Sequence, residues 1–174
     1  RARRRRRTVH RHLDQVGRVP HAHDSLRLRV MHATTLLYEA RLRGDPSAPV
    51  AELIALAAQR VDGDPDLELL ATANRGIACI GLGDYRQAEA ELVAALRVAR
   101  RRARDYVALD CLTHLSGNAA DLNDFVGMKR WAEQAIAFAT ERGWASSPRL
   151  ADAYVVAAWA ACQMLDHETA ARYA

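Results

Sequence analysis

Paired histidines, His10 with His12 and His21 with His23, are the residues whose type best suits a metal, and their spacing is the first argument against one. Residues two apart on a helix point in different directions, and no carboxylate or cysteine completes a set at ligand spacing. No metal and no other cofactor is expected in this segment. His114 is different, because it sits mid-helix with Asn118 one turn on, and Asn74 takes the equivalent place one unit earlier. Asp110 and Asp121 flank that face, and Tyr38 and Arg41 extend it, so these seven residues form the candidate ligand- or groove-binding set. Two readings of the polar residues stay open. They line a concave surface as a ladder, or they satisfy one another through hydrogen bonds between neighbouring helices. No nucleophile, base and orienting group recur as a set, so no catalytic residue is assigned and an enzyme is not expected.

Arginine is the other residue that invites a chemical reading. Residues 1 to 29 hold ten arginines against Asp14 and Asp24, a local balance of +8, while the remainder of the chain sums to −4. Basicity is therefore concentrated in Arg1 to Arg7, which suits phosphate or carboxylate partners. No aromatic residue interleaves there to stack on bases, so a solvated face is favoured and direct nucleic-acid binding is not expected. A second run, Arg100 to Arg104, falls at the carboxyl end of a helical pattern, where cations complement the dipole. Trp131, Trp144 and Trp159 offer stacking surfaces, but packing is the stronger expectation for all three.

What positions these residues is a repeat. Gly83-Asp84-Tyr85 and Asn123-Asp124-Phe125 lie 40 residues apart, Gly44-Asp45-Pro46 precedes the first by 39, and a weaker Asp166-His167-Glu168 follows Asn123 by 43. Self-similarity at such a period marks a solenoid. After each turn comes an amphipathic stripe: Ala88, Leu92, Ala95, Leu96 and Ala99, then Met128, Ala132, Ala135, Ile136 and Ala139. Before each turn lies a more uniformly apolar stretch, roughly 67 to 82, 106 to 122 and 149 to 165. Gly76 and Ser116 face the alanines at the crossing points, and Gly83 or Asn123 ends one helix where Asp84 or Asp124 caps the next.

The expected architecture is all-α: a right-handed α-solenoid of antiparallel helix hairpins with a period of about 40 residues. Residues 1 to 174 form a single repeat domain. Within it, 1–17 is the second helix of a truncated repeat carrying the basic run, 24–62, 66–104 and 105–143 are repeats, and 148–174 is an incomplete one. The half-units at each end and the missing initiator methionine predict a fragment of a longer array. Three widely spaced cysteines within apolar patterns, Cys79, Cys111 and Cys162, predict buried thiols in a reducing, cytoplasmic compartment. The longest uncharged apolar stretch, 155 to 162, is far too short for a membrane span, so no membrane association is expected.

Gly76 with Ala88, Leu92 and Ala95 resembles the tetratricopeptide repeat, although the period exceeds that family's usual 34, the helix-ending proline is absent near Arg100, and Thr72 or Leu112 stands where a larger residue is usual. A broader resemblance covers most of the chain. Leu82-Gly-Asp-Tyr with Ala88-Glu-Ala-Glu-Leu92, then Ala132-Glu-Gln-Ala-Ile136 running into Arg142-Gly-Trp144, is similar to the MalT-like repeat region of large LuxR-family transcriptional regulators. That resemblance implies a ligand-sensing or protein-interaction segment that takes a protein, peptide or small-molecule effector in its superhelical groove. It also implies an adjacent nucleotide-binding NTPase module of the STAND class and a DNA-binding module, both outside these 174 residues. A homo-oligomer is compatible with it. The alternative is a peptide-binding repeat scaffold of a multidomain protein with no role in transcription.

Overall fold

The computed structural model describes residues 26–43 and 64–174, with side chains described for 28–36 and from 64 onward. The arginine run, the paired histidines and the turn at Gly44 to Pro46 lie outside the described residues. Every described element is a helix: α1 (Leu26–Arg43), α2 (Pro65–Gly81), α3 (Tyr85–Arg101), α4 (Asp105–Asp121), α5 (Phe125–Glu141), a 3-10 turn (Pro148–Leu150), α6 (Ala151–Gln163) and α7 (His167–Tyr173). The chain divides into two compact units between Leu82 and Gly83.

In the first unit α1 and α2 pack together. Asp64 starts α2 by accepting hydrogen bonds from the backbone N–H groups of Asp66 and Leu67 at 3.2 and 3.1 Å, and Pro65 occupies the first helical position, where its missing N–H costs nothing. Leu67, Leu69, Ala71, Ala73, Ile77 and Ala78 are buried on α2, as are Val30 and Ala33 on α1.

The second unit shows why its helices follow one another so closely. Helices α3, α4 and α5 are each 17 residues long, and each packs on the next in sequence, continuing through α6 to α7. Helix α6 also touches α4, the one pair of alternate helices in contact among those described in this unit. Ala88, Leu92, Ala95, Leu96 and Ala99 are the buried face of α3, and Met128, Ala132, Ala135 and Ala139 that of α5, with Ile136 half-buried at its edge. Ser116, on the facing helix α4, is fully buried and returns its hydroxyl proton to the Thr113 carbonyl at 2.7 Å. Small residues at these crossings let the backbones come close. A larger side chain at Ala95 or Ala132 would force them apart at a cost of about 1–3 kcal/mol.

The turns are built alike. Asp124 N–H donates to Ala119 and Asn123 N–H to Ala120, at 2.9 and 3.0 Å, the paired bonds that close a helix through a left-handed residue. The same pair follows α3 (Arg104 to Ala99, Ala103 to Arg100), α5 (Trp144 to Ala139, Gly143 to Thr140) and α6 (Asp166 to Ala161, Leu165 to Cys162). Gly83, Ala103, Asn123, Gly143 and Leu165 all have positive φ, between 52° and 77°. For Ala103 and Leu165 that conformation costs about 1 kcal/mol each. Asp84, Asp124 and Asp166 then cap α3, α5 and α7 through the N–H groups of Gln87, Gly127 and Thr169. The hydrogen bonds from Thr169 hold the Asp166 carboxyl below its ordinary range. The turn before α7 thus sits one residue off the sequence alignment: Leu165, and not Asp166, is the counterpart of Gly83 and Asn123.

Two expectations are corrected. Cys162 is exposed, whereas Cys79 and Cys111 are buried. Trp159 is 43% exposed and does not pack into the core. Both have one cause. Helix α6 buries Ala153, Val156, Ala157, Ala160 and Ala161, an i, i+3, i+4, i+7, i+8 face that excludes positions 159 and 162. Among the described residues no helix is long and apolar enough to cross a membrane.

Candidate interaction site on helix α4

Tyr106, Asp110 and His114 recur every four residues on α4, so helical geometry places them in a row along one side. The 3-10 turn delivers Arg149 onto that row. Ser147 caps the turn by accepting from the Arg149 N–H, and Pro148 fixes its first residue, so the arginine leaves the backbone directed at α4. Its Nε donates to the Tyr106 hydroxyl, its Nη1 donates to Asp110 Oδ1, and its guanidinium lies over the Tyr106 ring at 4.5 Å. Trp144 meets the same ring edge-on, with centroids 6.4 Å apart. Asp110 Oδ1 also lies 3.9 Å from His114 Nε2. Asp110 and His114 are only 17% and 14% exposed, while Tyr106 is 56% exposed, so the strip is sheltered at one end and open at the other.

The chemistry available to this strip is recognition. One carboxylate oxygen accepts from a guanidinium and lies near an imidazole, so the three groups are held close together on one side of α4. Cys111, the adjacent nucleophile type, is held as a neutral thiol: burial, and then the negative charge of Asp110, push it up to about 12. Among the described residues no three His, Cys, Asp or Glu side chains gather where they could hold a metal ion.

The remaining candidates separate. Asn74 is buried in the first unit and donates from Nδ2 to Thr34 Oγ1 at 2.6 Å. Asn118 is buried in the second and donates to the Tyr85 carbonyl at 3.0 Å, while its Oδ1 is buried with no partner among the described residues. Both therefore bridge neighbouring helices, the second of the two readings left open for them. Asp121 is exposed at the end of α4. Tyr38 and Arg41 lie on α1, but their side chains fall outside the described residues. Of the seven, the structure brings together Asp110 and His114.

Arg149 and Tyr106 are functional candidates that sequence reasoning passed over, while Trp144, named there as a stacking surface expected to pack, meets the Tyr106 ring. Tyr106 was available from its four-residue step to Asp110 and His114. Arg149 left no such signal, since it meets Asp110 from 39 residues away. Arg142, in the Arg-Gly-Trp loop, pairs with Asp105 at 2.8 Å and lies over the Phe138 ring at 3.5 Å, which fixes the loop that presents Trp144. No protein-family model matches the chain, and no curated protein matches it in sequence.

Proposed function

We propose that this chain is a right-handed, tetratricopeptide-like α-solenoid segment with a period of about 40 residues, acting as a non-enzymatic sensing or protein-interaction element of a multidomain transcriptional regulator. The observation behind the solenoid is the packing of consecutive helices in sequence order, together with the contact between α4 and α6. Behind the recognition role stands the row of Tyr106, Asp110 and His114, charge-fixed by Arg149 and flanked by Trp144. An effector, whether a peptide or a small polar molecule, engages the open end of that row. It acts by favouring one packing of the adjoining modules over another, since only differential affinity shifts such an equilibrium.

The resemblance to the MalT-like region supplies the regulatory context, with a nucleotide-binding module and a DNA-binding module beyond these residues. Reading the coding sequence on both sides tests it. A full-length product with both modules supports the proposal, and one with neither reduces it to a peptide-binding scaffold outside transcription. In the regulator, His114→Ala and Tyr106→Ala are expected to blunt the effector response of a reporter promoter while leaving basal DNA binding intact.

A further inference from the structure

A different surface of the second unit holds charges that form no ion pair among the described residues. Between α3 and α5 runs a cleft of about 470 Å³ whose walls include Arg97, Arg100 and Arg101 on one side and Arg130 on the other, with Val93 and Trp131 in its lining. All four arginines are exposed. Among the described residues none of the four has a carboxylate within ion-pair distance. Arg100 reaches only Gln134, at 3.4 Å, and Arg130 lies over the Trp131 ring at 4.4 Å. Arg142 and Arg149, by contrast, are both paired with aspartates. The dipole of α3 accounts for Arg100 and Arg101 in its last turn, but not for Arg97, and no helix terminus accounts for Arg130, the sixth residue of α5.

We propose that this cleft docks a short acidic peptide segment carrying one apolar side chain. Four guanidiniums in one cleft repel each other until an anion enters, and carboxylates accept from guanidinium forks in two-point geometry. Val93, 40% exposed, and the half-buried Trp131 supply the apolar seat. From Val93 to Arg101 the helix rises about 12 Å, which accommodates about four residues of extended chain. A nucleic acid fits less well. The cleft offers one indole for stacking, where a single strand takes a succession of aromatic platforms.

Fluorescence anisotropy on the 174-residue chain tests this with a labelled eight-residue peptide of glutamates around a central phenylalanine. Its lysine counterpart and a labelled 12-nucleotide single strand serve as competitors for the proposal. Because the arginines at 1 to 7 also attract acid, the decisive quantity is the ratio between the chain and its charge-reversed forms. Arg97→Glu/Arg101→Glu, and separately Arg130→Glu, are expected to weaken the glutamate peptide at least tenfold with helical circular dichroism unchanged, while the lysine peptide does not bind. Replacing the central phenylalanine by serine is expected to weaken binding severalfold. Equal affinity for the chain and both variants would overturn the proposal, as would tighter binding of the single strand lost in the same variants.

Discussion

The strip on α4 and the cleft between α3 and α5 are made from similar residues and differ in one respect, the presence of internal partners. On α4, Arg149 is stacked on Tyr106 and bonded to Asp110, so its charge is already answered within the fold. In the cleft, Arg97, Arg101 and Arg130 make no ion pair among the described residues. Paired charge builds and orients a surface, whereas unanswered charge leaves a surface whose best state is reached with a partner. Location in a fold therefore says less about a residue's task than whether its electrostatic demand is met at home.

The contrast can be tested by the size of what each surface loses. The largest expected effect is chemical. With its thiol at about 12 against an ordinary 9.0, Cys111 carries about a thousandfold less thiolate than an ordinary thiol. Iodoacetamide at pH 8, read by peptide mass spectrometry, should label exposed Cys162 and leave Cys111 unmodified in the folded chain. Labelling of both at one rate would mean that the α4 strip opens readily. Next, Asp110→Ala removes the acceptor of a charge-assisted bond and should cost about 2 kcal/mol in urea denaturation. A loss below about 0.5 kcal/mol, the size of an ordinary surface substitution, would erase the distinction between the two surfaces. Tyr106→Phe, which deletes only the hydroxyl that receives Arg149 Nε, should cost about 0.5–1 kcal/mol. Smallest of all, Arg97→Ala in the cleft should shift stability by less than about 0.5 kcal/mol in either direction, because no bond within the fold is broken.

The fold was readable where one residue type has one physical task. Asp84 and Asp124 follow a glycine or asparagine that tolerates the left-handed conformation, and that dipeptide announces both the end of one helix and the cap of the next. Alanine stripes announced the close crossings for the same reason. Ala103 and Leu165 take the left-handed conformation with nothing in their chemistry to favour it, so those turns left no mark, and the turn before α7 was displaced by one residue as a result. Of the site, Asp110 and His114 were visible because both lie on one helix at helical spacing. The pairing of Arg149 with Asp110, and the convergence of Arg97 with Arg130, depend on which helix lies beside which, and a linear pattern does not encode that. Asn74 and Asn118 stand out in the sequence as polar residues in apolar helices, yet the same signal serves a groove residue and a buried bridge, and the structure buries both.

Helices α3, α4 and α5 share a length of 17 residues and are joined by connections of three, which gives this stretch a rotational phase as well as a spacing. Deleting one residue inside α4 turns all that follows by about 100°, carrying Arg149 off Asp110 and Trp144 off Tyr106 together. The same deletion at Ala145 or Ser146 falls in the longest described connection of the second unit, at two exposed residues between the bonds that anchor its ends. Within residues 83–174, tolerance to insertions and deletions is thereby greatest in that short stretch, and evolutionary drift in chain length should accumulate there.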